Sequence, residues 1–372
     1  MFGTLDRYIG RSILFTSLLV LMTLVALASI FAFISELDDV GKGSYTVAKA
    51  AQYVFMTIPG KAYLLFAPAV LLGSLLGLGA LASNSELTVM RAAGISNARI
   101  IRAVLITGVG LMLMIALLGE TVMPKSEQIA EELRLTALEK RLSVKGQNGL
   151  WLKSAGRFVN IATVMPDYTL LGVTVHEFDG TTLINALQAA RAIRDGDDWL
   201  LEDIKLTSFS STGSKTAHLD KQTWSALVRR NSGTIADDNM AVPRLVNADA
   251  LKSLSVSPDN LSARNLLDQV RYLNANQLDS RRIELAFWVK ITSPLATLVM
   301  LMLSLPFVFA SQRSGGAGQK IFIGIMLGIV YVLVNKLLTQ LALANGLPPA
   351  ISAMLPLLVF LAVAIVGIRK NA

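Results

Sequence analysis

Residues 83–94 read Ser83-Asn84-Ser85-Glu86-Leu87-Thr88-Val89-Met90-Arg91-Ala92-Ala93-Gly94. One long apolar run ends just before them and another begins at Ile100, so the stretch is a short connection between two candidate membrane spans. Its residues nevertheless predict a helix. Ser83 and Glu86 have the S-x-x-E spacing of a capping box, in which hydroxyl and carboxylate each take one orphan backbone N–H. Gly94 is a natural stop, because a residue without Cβ enters the left-handed conformation at low cost. Leu87, Met90 and Ala93 fall on one face, with Arg91 away from it. Two readings stay open on pattern alone: a helical turn resting on lipid headgroups, or a coupling helix gripped by a cytoplasmic motor.

The surroundings fix the class. Of 372 residues, 53% are hydrophobic and only 16% charged, and the mean hydropathy is +0.55. Soluble chains carry about a quarter charged residues. Six runs are long enough to cross the hydrocarbon core, which takes about 20 residues. They are Ser12–Ile34, Tyr53–Leu81, Ile100–Val122, Phe287–Ala310, Ile321–Ala344 and Ile351–Ile368. Three precede a long polar insertion and three follow it. Arg7 and Arg11 before an apolar run with Ala26-Leu27-Ala28 imitate a signal peptide, but the run continues to Ile34 and is too long for one. With no cysteine in the chain, disulfides and Cys-ligated metals are excluded. The formal charge of +8 is spread along the chain and often flanks spans. It therefore reads as anchoring and orientation, not nucleic-acid binding.

Arg7, Arg11, Arg91, Arg99, Arg102, Arg313, Lys320, Arg369 and Lys370 flank one side of the spans. The positive-inside rule then places both termini and the 83–94 connection in the cytoplasm, and the insertion outside. Gly73 and Gly77, and again Gly324 and Gly328, have the spacing that lets helices approach closely in lipid. Gly41-Lys42-Gly43-Ser44-Tyr45 reads as a turn. Met123-Pro124 leads into a helical pattern over Lys125–Leu142 that extends the third span. From Val144 the period changes to strands: Leu150–Lys153, Arg157–Thr163, Leu171–Phe178, Ala189–Arg194, Trp199–Phe209 and Ala217–Ser225. Leu171, Val173 and Val175 alternate, as do the apolar residues of Phe158–Ile161, which gives each strand one apolar face. Such a series predicts an antiparallel sandwich or jelly roll. Leu251–Leu254 begins a return, and a helix runs from Ser262 to Asn274 before Ser280 leads into the fourth span. The predicted fold is a six-span helical bundle with an inserted all-β jelly-roll domain. Its divisions are 1–122 with a coupling helix at 84–94, 123–283, and 284–372.

Enzymatic chemistry has no foothold in the sequence. The glycines of 315–320 lack phosphate-loop spacing and read as a flexible loop, and there is no G-x-S-x-G or H-E-x-x-H motif. His176 and His218 stand without a motif around them, so no catalytic or metal site is expected. Charges at membrane depth say more: Lys61, Glu120, Lys290 and Lys336 lie in or at the ends of spans, where charge is linked to a pathway or a partner. For Lys61 and Lys290, snorkelling to the interface is the plain alternative.

Three spans, an external β domain and three more spans resemble the LptF/LptG lipopolysaccharide export permeases over essentially the whole chain. The residues that carry the resemblance are Leu5-Asp6-Arg7-Tyr8-Ile9-Gly10, Gly43-Ser44-Tyr45, Ser85-Glu86-Leu87-Thr88-Val89-Met90 with Gly94, Glu120…Pro124, Gly149-Leu150-Trp151 and Gly346-Leu347-Pro348-Pro349. The first, second and last favour the LptG branch. The resemblance implies a permease subunit of an ABC transporter that extracts lipopolysaccharide from the outer leaflet of a Gram-negative inner membrane. It further implies a paralogous LptF-like subunit, an LptB-like ATPase dimer that binds the ATP, and LptC-like and LptA-like periplasmic jelly-roll proteins. No cofactor of its own is implied. Glu86, Leu87, Met90, Arg91 and Gly94 match the coupling helix, and the first and fifth spans match lateral gates. Arg134 falls where LptG relatives have an arginine above the cavity. Relatives can carry lysines at and after the outer end of the first span. Here that end reads Phe31-Ala32-Phe33-Ile34-Ser35-Glu36-Leu37-Asp38-Asp39, so Lys61 or Lys42 becomes the substitute. Lys61, Arg134, Lys336 and Lys42 are thus candidate headgroup contacts, and Phe158, Ile161, Leu171, Val173 and Val175 a candidate path for lipid chains. An alternative remains: a membrane subunit that relays force to a periplasmic partner without moving lipid.

Overall fold

A computed structural model describes residues 3–138, 150–154, 157–165, 169–196, 198–210, 213–231, 257–275, 279–310, 317–345 and 347–371. Two compact units result: residues 1–38, 54–127 and 258–372 form one, and residues 39–53 and 128–257 the other.

Among the described residues, the first unit holds six helices long and apolar enough to cross a membrane. They are α1 (Thr4–Leu37), α3 (Ile58–Ser83), α5 (Asn97–Leu117) with its continuation, α9 (Arg281–Ala310), α10 (Ala317–Asn345) and α11 (Pro349–Asn371). The second span begins later than its hydropathy predicts. Tyr53 to Met56 belong to a separate helix, α2 (Val47–Met56), and the chain breaks at Thr57. The cause is Pro59: it has no N–H for the Phe55 carbonyl four residues back and its ring crowds that carbonyl, so α2 cannot run on and Pro59 takes the first turn of α3. The glycine-rich 315–320 stretch also differs from expectation. Helix α10 already begins at Ala317, while 311–316 lie outside the described residues.

Helix α3 is the hub. A Cβ on Gly73 would run into the Ser17 backbone, and one on Gly77 would lie 2.7 Å from Thr16 Oγ1. Thr16 donates to the Gly73 carbonyl at 2.7 Å. The close approach expected from the glycine spacing is therefore made against α1. In lipid, where apolar surface gains nothing from leaving water, such backbone contact and buried polar bonds hold helices together.

After α5 the helix widens into a π turn over Leu118–Val122 and resumes as α6 (Met123–Ala137). Pro124 explains the irregularity, since it cannot donate to the carbonyl four residues back and its ring crowds that carbonyl. The predicted extension of the third span is present through Ala137, and residues 139–142 lie outside the described set. Leu251–Leu254 lies outside it as well. Helix α8 (Ala263–Ala275) starts at Ser262, whose Oγ accepts the Asn265 N–H at 3.2 Å.

Among its described residues the inserted unit contains six strands, β1 (Leu150–Ser154), β2 (Arg157–Val164), β3 (Leu170–Asp179), β4 (Thr182–Asp195), β5 (Asp198–Ser210) and β6 (Gly213–Thr223), followed by α7 (Trp224–Asn231). All neighbours are antiparallel and the sheet order is the chain order. The apolar face is built from cross-strand rows. Val159 pairs with Val175, Val175 with Leu187 and Leu187 with Leu206. A second row runs Ile161, Val173, Ala189, Ile204 and Leu219. Trp224 and Leu227 of α7 complete this core.

Candidate functional site

The connection at the centre of the sequence is a seven-residue helix, α4 (Glu86–Ala92), but its start is not the capping box that the spacing predicts. The Ser83 hydroxyl turns back to donate to the Ala80 carbonyl. The cap position falls on Ser85, in the left-handed conformation with φ 62° and no side-chain cap bond. Two serines two residues apart offered the chain a choice, and Ser83 is still the last turn of α3. Glu86 is then free for a distant partner: Tyr8 at the foot of α1 donates to its Oε2 at 2.7 Å. The stop at Gly94 holds. With φ +86° it lets Ile95 N–H reach the Met90 carbonyl and Gly94 N–H the Arg91 carbonyl, a Schellman closure.

The apolar face of α4 points inward. Leu87 is buried and Met90 packs against the same core as Ile9 and Leu81, while Ala93 is exposed. Outward stand Thr88, Val89, Arg91 and Ala92, with Val89 65% exposed. Leu87 and Met90 therefore seat α4 on the bundle, and the surface available to another protein is Val89 with Arg91. Sequence periodicity could not separate the two, because an apolar stripe reads alike whether it meets its own bundle or a partner.

The four candidate headgroup cations differ sharply. Lys61 in α3 is half-buried and donates to Thr57 Oγ1 at 2.7 Å. Lys336 is exposed on α10 and has no ion pair with the described residues. Arg134 and Lys42, by contrast, share one carboxylate: Asp39 accepts from Arg134 Nη2 at 2.9 Å and from Lys42 Nζ at 2.6 Å. The Arg134 guanidinium also lies over the Tyr53 ring, 5.4 Å from its centroid. Asp39 and Tyr53 were not singled out from the sequence, where nothing links them to a residue some 90 positions away.

Two other charges at membrane depth have structural duties. Glu120 sits in the π turn and accepts the Ala263 and Arg264 N–H groups at 2.8 and 3.3 Å, capping α8. Lys290 of α9 is buried, with Nζ 4.6 Å from the Tyr63 ring centroid and 3.3 Å from Met123 Sδ.

On the sheet, Ile161, Val173 and Val175 lie on the apolar face as expected, and two neighbours do not. Phe158 pairs with His176, one step out of phase with Val159 and Ile161, so it lies on the opposite face, edge-on to Phe178. Leu170, fully buried, takes the inward place expected of Leu171. The alternation slips because Gly172 has φ +63° and Asp203 φ +53°, and both fall at positions skipped in the pairing of their strands. A small cavity beside α7 is lined by Val175, Leu187, Leu206, Trp224 and Leu227, with Arg157 and Glu177 paired at its polar end.

The chain thus combines six apolar helices with a meander sheet between the third and fourth, and a short helix between the second and third. The family model described as lipopolysaccharide export system permease LptF/LptG matches residues 7–370. The chain belongs to that family. It is 33% identical over 362 residues to the lipopolysaccharide export system permease protein LptG of Escherichia coli (strain K12), covering 95% of each chain. It is 34% identical over 364 residues to the protein of the same name from Haemophilus influenzae, covering 97% of each. The six-span bundle with its inserted β domain is the architecture of an export permease of this family, a multi-pass membrane transporter subunit.

Proposed function

We propose that this permease is the LptG-type half of an ABC transporter in the Gram-negative inner membrane, with both termini cytoplasmic. In this reading it extracts lipopolysaccharide from the outer leaflet and delivers it toward periplasmic β-domain proteins of the LptC and LptA type. An LptF-like paralogue completes the bundle, and an LptB-like ATPase dimer binds and hydrolyses the ATP. The observation that carries the reading is α4: buried through Leu87, tied to α1 through Tyr8 and Glu86, and closed at Gly94, it offers Val89 and Arg91 outward. A helix so seated passes a push at its outer side to the bundle. The sparse burial of α1 and α10 supports gates at those spans, since 17% and 11% of their most apolar stretches are covered.

The energetics require a sheltered route. Moving an acyl chain from bilayer to water costs about 0.8 kcal/mol per CH₂. Lys61, Lys336, Arg134 and Lys42 are cations suited to lipid phosphates, and the sheet face of Ile161, Val173 and Val175 shelters chains, which would displace α7 from it. The substitution pair Val89→Asp and Arg91→Glu tests the coupling. Loss of an anchor of about 1.4 kcal/mol weakens binding about tenfold, so the ATPase should no longer co-purify and ATP-driven lipopolysaccharide release should stop. Normal ATPase binding and release would remove the coupling assignment. Intact ATP turnover with no lipid release by the parent complex would leave the force-relay alternative. Lys61→Glu, Arg134→Glu and Lys336→Glu should each lower the lipopolysaccharide retained on the purified complex. A photo-crosslinker at Val173 should capture lipid when ATP is supplied, and one at Thr174 should not.

A further inference from the structure

We propose that Asp39 is a built-in counter-anion, which Arg134 and Lys42 exchange for a phosphate of the cargo, and that it sets how readily that phosphate is let go. The inference rests on the headgroup reading of Arg134 and Lys42 and assigns a role to a residue outside it.

The geometry is that of an anion site already filled. The two oxygens of one carboxylate go to two different cations, Oδ2 to Arg134 and Oδ1 to Lys42. A phosphate presents two oxygens at similar spacing and can take both places. Tyr53 supports one face of the guanidinium, which leaves the in-plane N–H fork to select an anion. Lys49 is bound to the same turn as Lys42: its Nζ donates to Ser44 Oγ at 3.0 Å. A phosphate monoester carries about −1.5 to −2 at pH 7, more than the single charge of the carboxylate it would replace.

Contacts other than the ion pair also hold this turn in place. Ser44 donates to the Ala137 carbonyl through its N–H at 2.8 Å and through its hydroxyl at 3.2 Å. Tyr45 beside it is fully buried. Gly43 has φ +57°, and a Cβ there would stand 2.8 Å from the Ala137 carbonyl oxygen. The backbone thus pins 41–45 to the last turn of α6, where Arg134 sits. On this frame the carboxylate holds the two cations apart in a phosphate-sized arrangement. It also competes for them, so bound phosphate stays exchangeable. A transporter that must release its cargo benefits from such competition.

The test uses the complete permease–ATPase complex loaded with lipopolysaccharide. Asp39→Asn removes the competing charge at constant size. It should raise the lipopolysaccharide retained by roughly two- to fivefold, the span a partly exposed ion pair supplies, and slow ATP-driven release. The gain should vanish when Arg134→Gln is added and when the lipid is dephosphorylated. Asp39→Ser, smaller and neutral, should act in the same direction. If Arg134→Gln lowers retention while both Asp39 variants leave it unchanged or lower it, the counter-anion role is overturned and the headgroup reading stands. If Arg134→Gln has no effect, the headgroup reading itself falls. Failure of both Asp39 variants to assemble would make Asp39 a structural tether and overturn the proposal.

Discussion

Helices α3 and α10 are both strongly apolar, yet 78% of the most apolar stretch of α3 is covered by protein and only 11% of that of α10. Hydropathy says that a segment leaves water; it does not say what replaces the water. For α3 the replacement is other helices, because Gly73 and Gly77 admit α1 and Leu72 and Leu75 meet Gly324 of α10. For α10 the described residues supply far less of that replacement: Phe322, Leu333 and Leu337 are all at least 60% exposed. Close packing at α3 and an open side on α10 are the contrast on which the lateral-gate proposal rests.

The sharpest way to break this contrast is to enlarge both helices. Gly73→Leu must displace the Ser17 backbone, not a side chain. Overpacking costs about 1–3 kcal/mol even where side chains can yield, so this variant should fail to assemble or should melt far below the parent in detergent. Ile329→Phe on the open side of α10 should stay within about 0.5 kcal/mol, as surface changes do. Equal losses in both would mean that α10 is as tightly enclosed in the working complex as α3.

The same contrast recurs within two residues of the sheet. Leu170 and Leu171 are adjacent and chemically identical, but Leu170 is fully buried and Leu171 only half-buried. Leu170→Ala should cost about 2–5 kcal/mol, the range for a core leucine. Leu171→Ala should cost about 1 kcal/mol, near the average for a point change. Denaturant unfolding of the full chain, followed by the emission of buried Trp199 and Trp224, reads both. A larger loss at Leu171 would restore simple alternation and place the slip at Gly172 in error.

These contrasts mark where the sequence is legible. The six spans, the strand series and the Gly94 stop could be read because each depends on neighbours within a few positions: apolar run length, period, a missing Cβ. The break at Thr57 was also written there, in Ile58-Pro59-Gly60, but a continuous apolar run masked it. What could not be read depends on distance. Asp39 meets Arg134 across 95 positions, and Tyr8 meets Glu86 across 78. The phase slip in β3 is intermediate, since Gly172 permits φ > 0 but only the paired strands require it. Candidate sites are therefore less legible than the fold, because charges choose partners in space.

The smallest expected effect comes from two lysines in spans, Lys290 and Lys336. Lys290 is 7% exposed, and no carboxylate lies within ion-pair distance of it among the described residues. Glu120, Glu127 and Asp259 act on it from farther away. Its ammonium rests on the Tyr63 ring and Met123 Sδ. A cation over an aromatic ring gains about 2 kcal/mol when desolvated, whereas burying an ion costs several kcal/mol. The cost exceeds the gain, so Lys290→Met, which keeps the length and removes the charge, should raise the melting temperature by the equivalent of about 1 kcal/mol. Lys336 is already exposed, and Lys336→Met should leave melting unchanged while lowering retained lipopolysaccharide. A marked loss of stability in Lys290→Met would show that the contacts with Tyr63 and Met123, together with the distant carboxylates, outweigh desolvation, making Lys290 a tie from α9 to the second and third spans. A loss in Lys336→Met would show that its side chain packs against a partner helix, and the open side of α10 would then belong to a permanent interface, not to a gate.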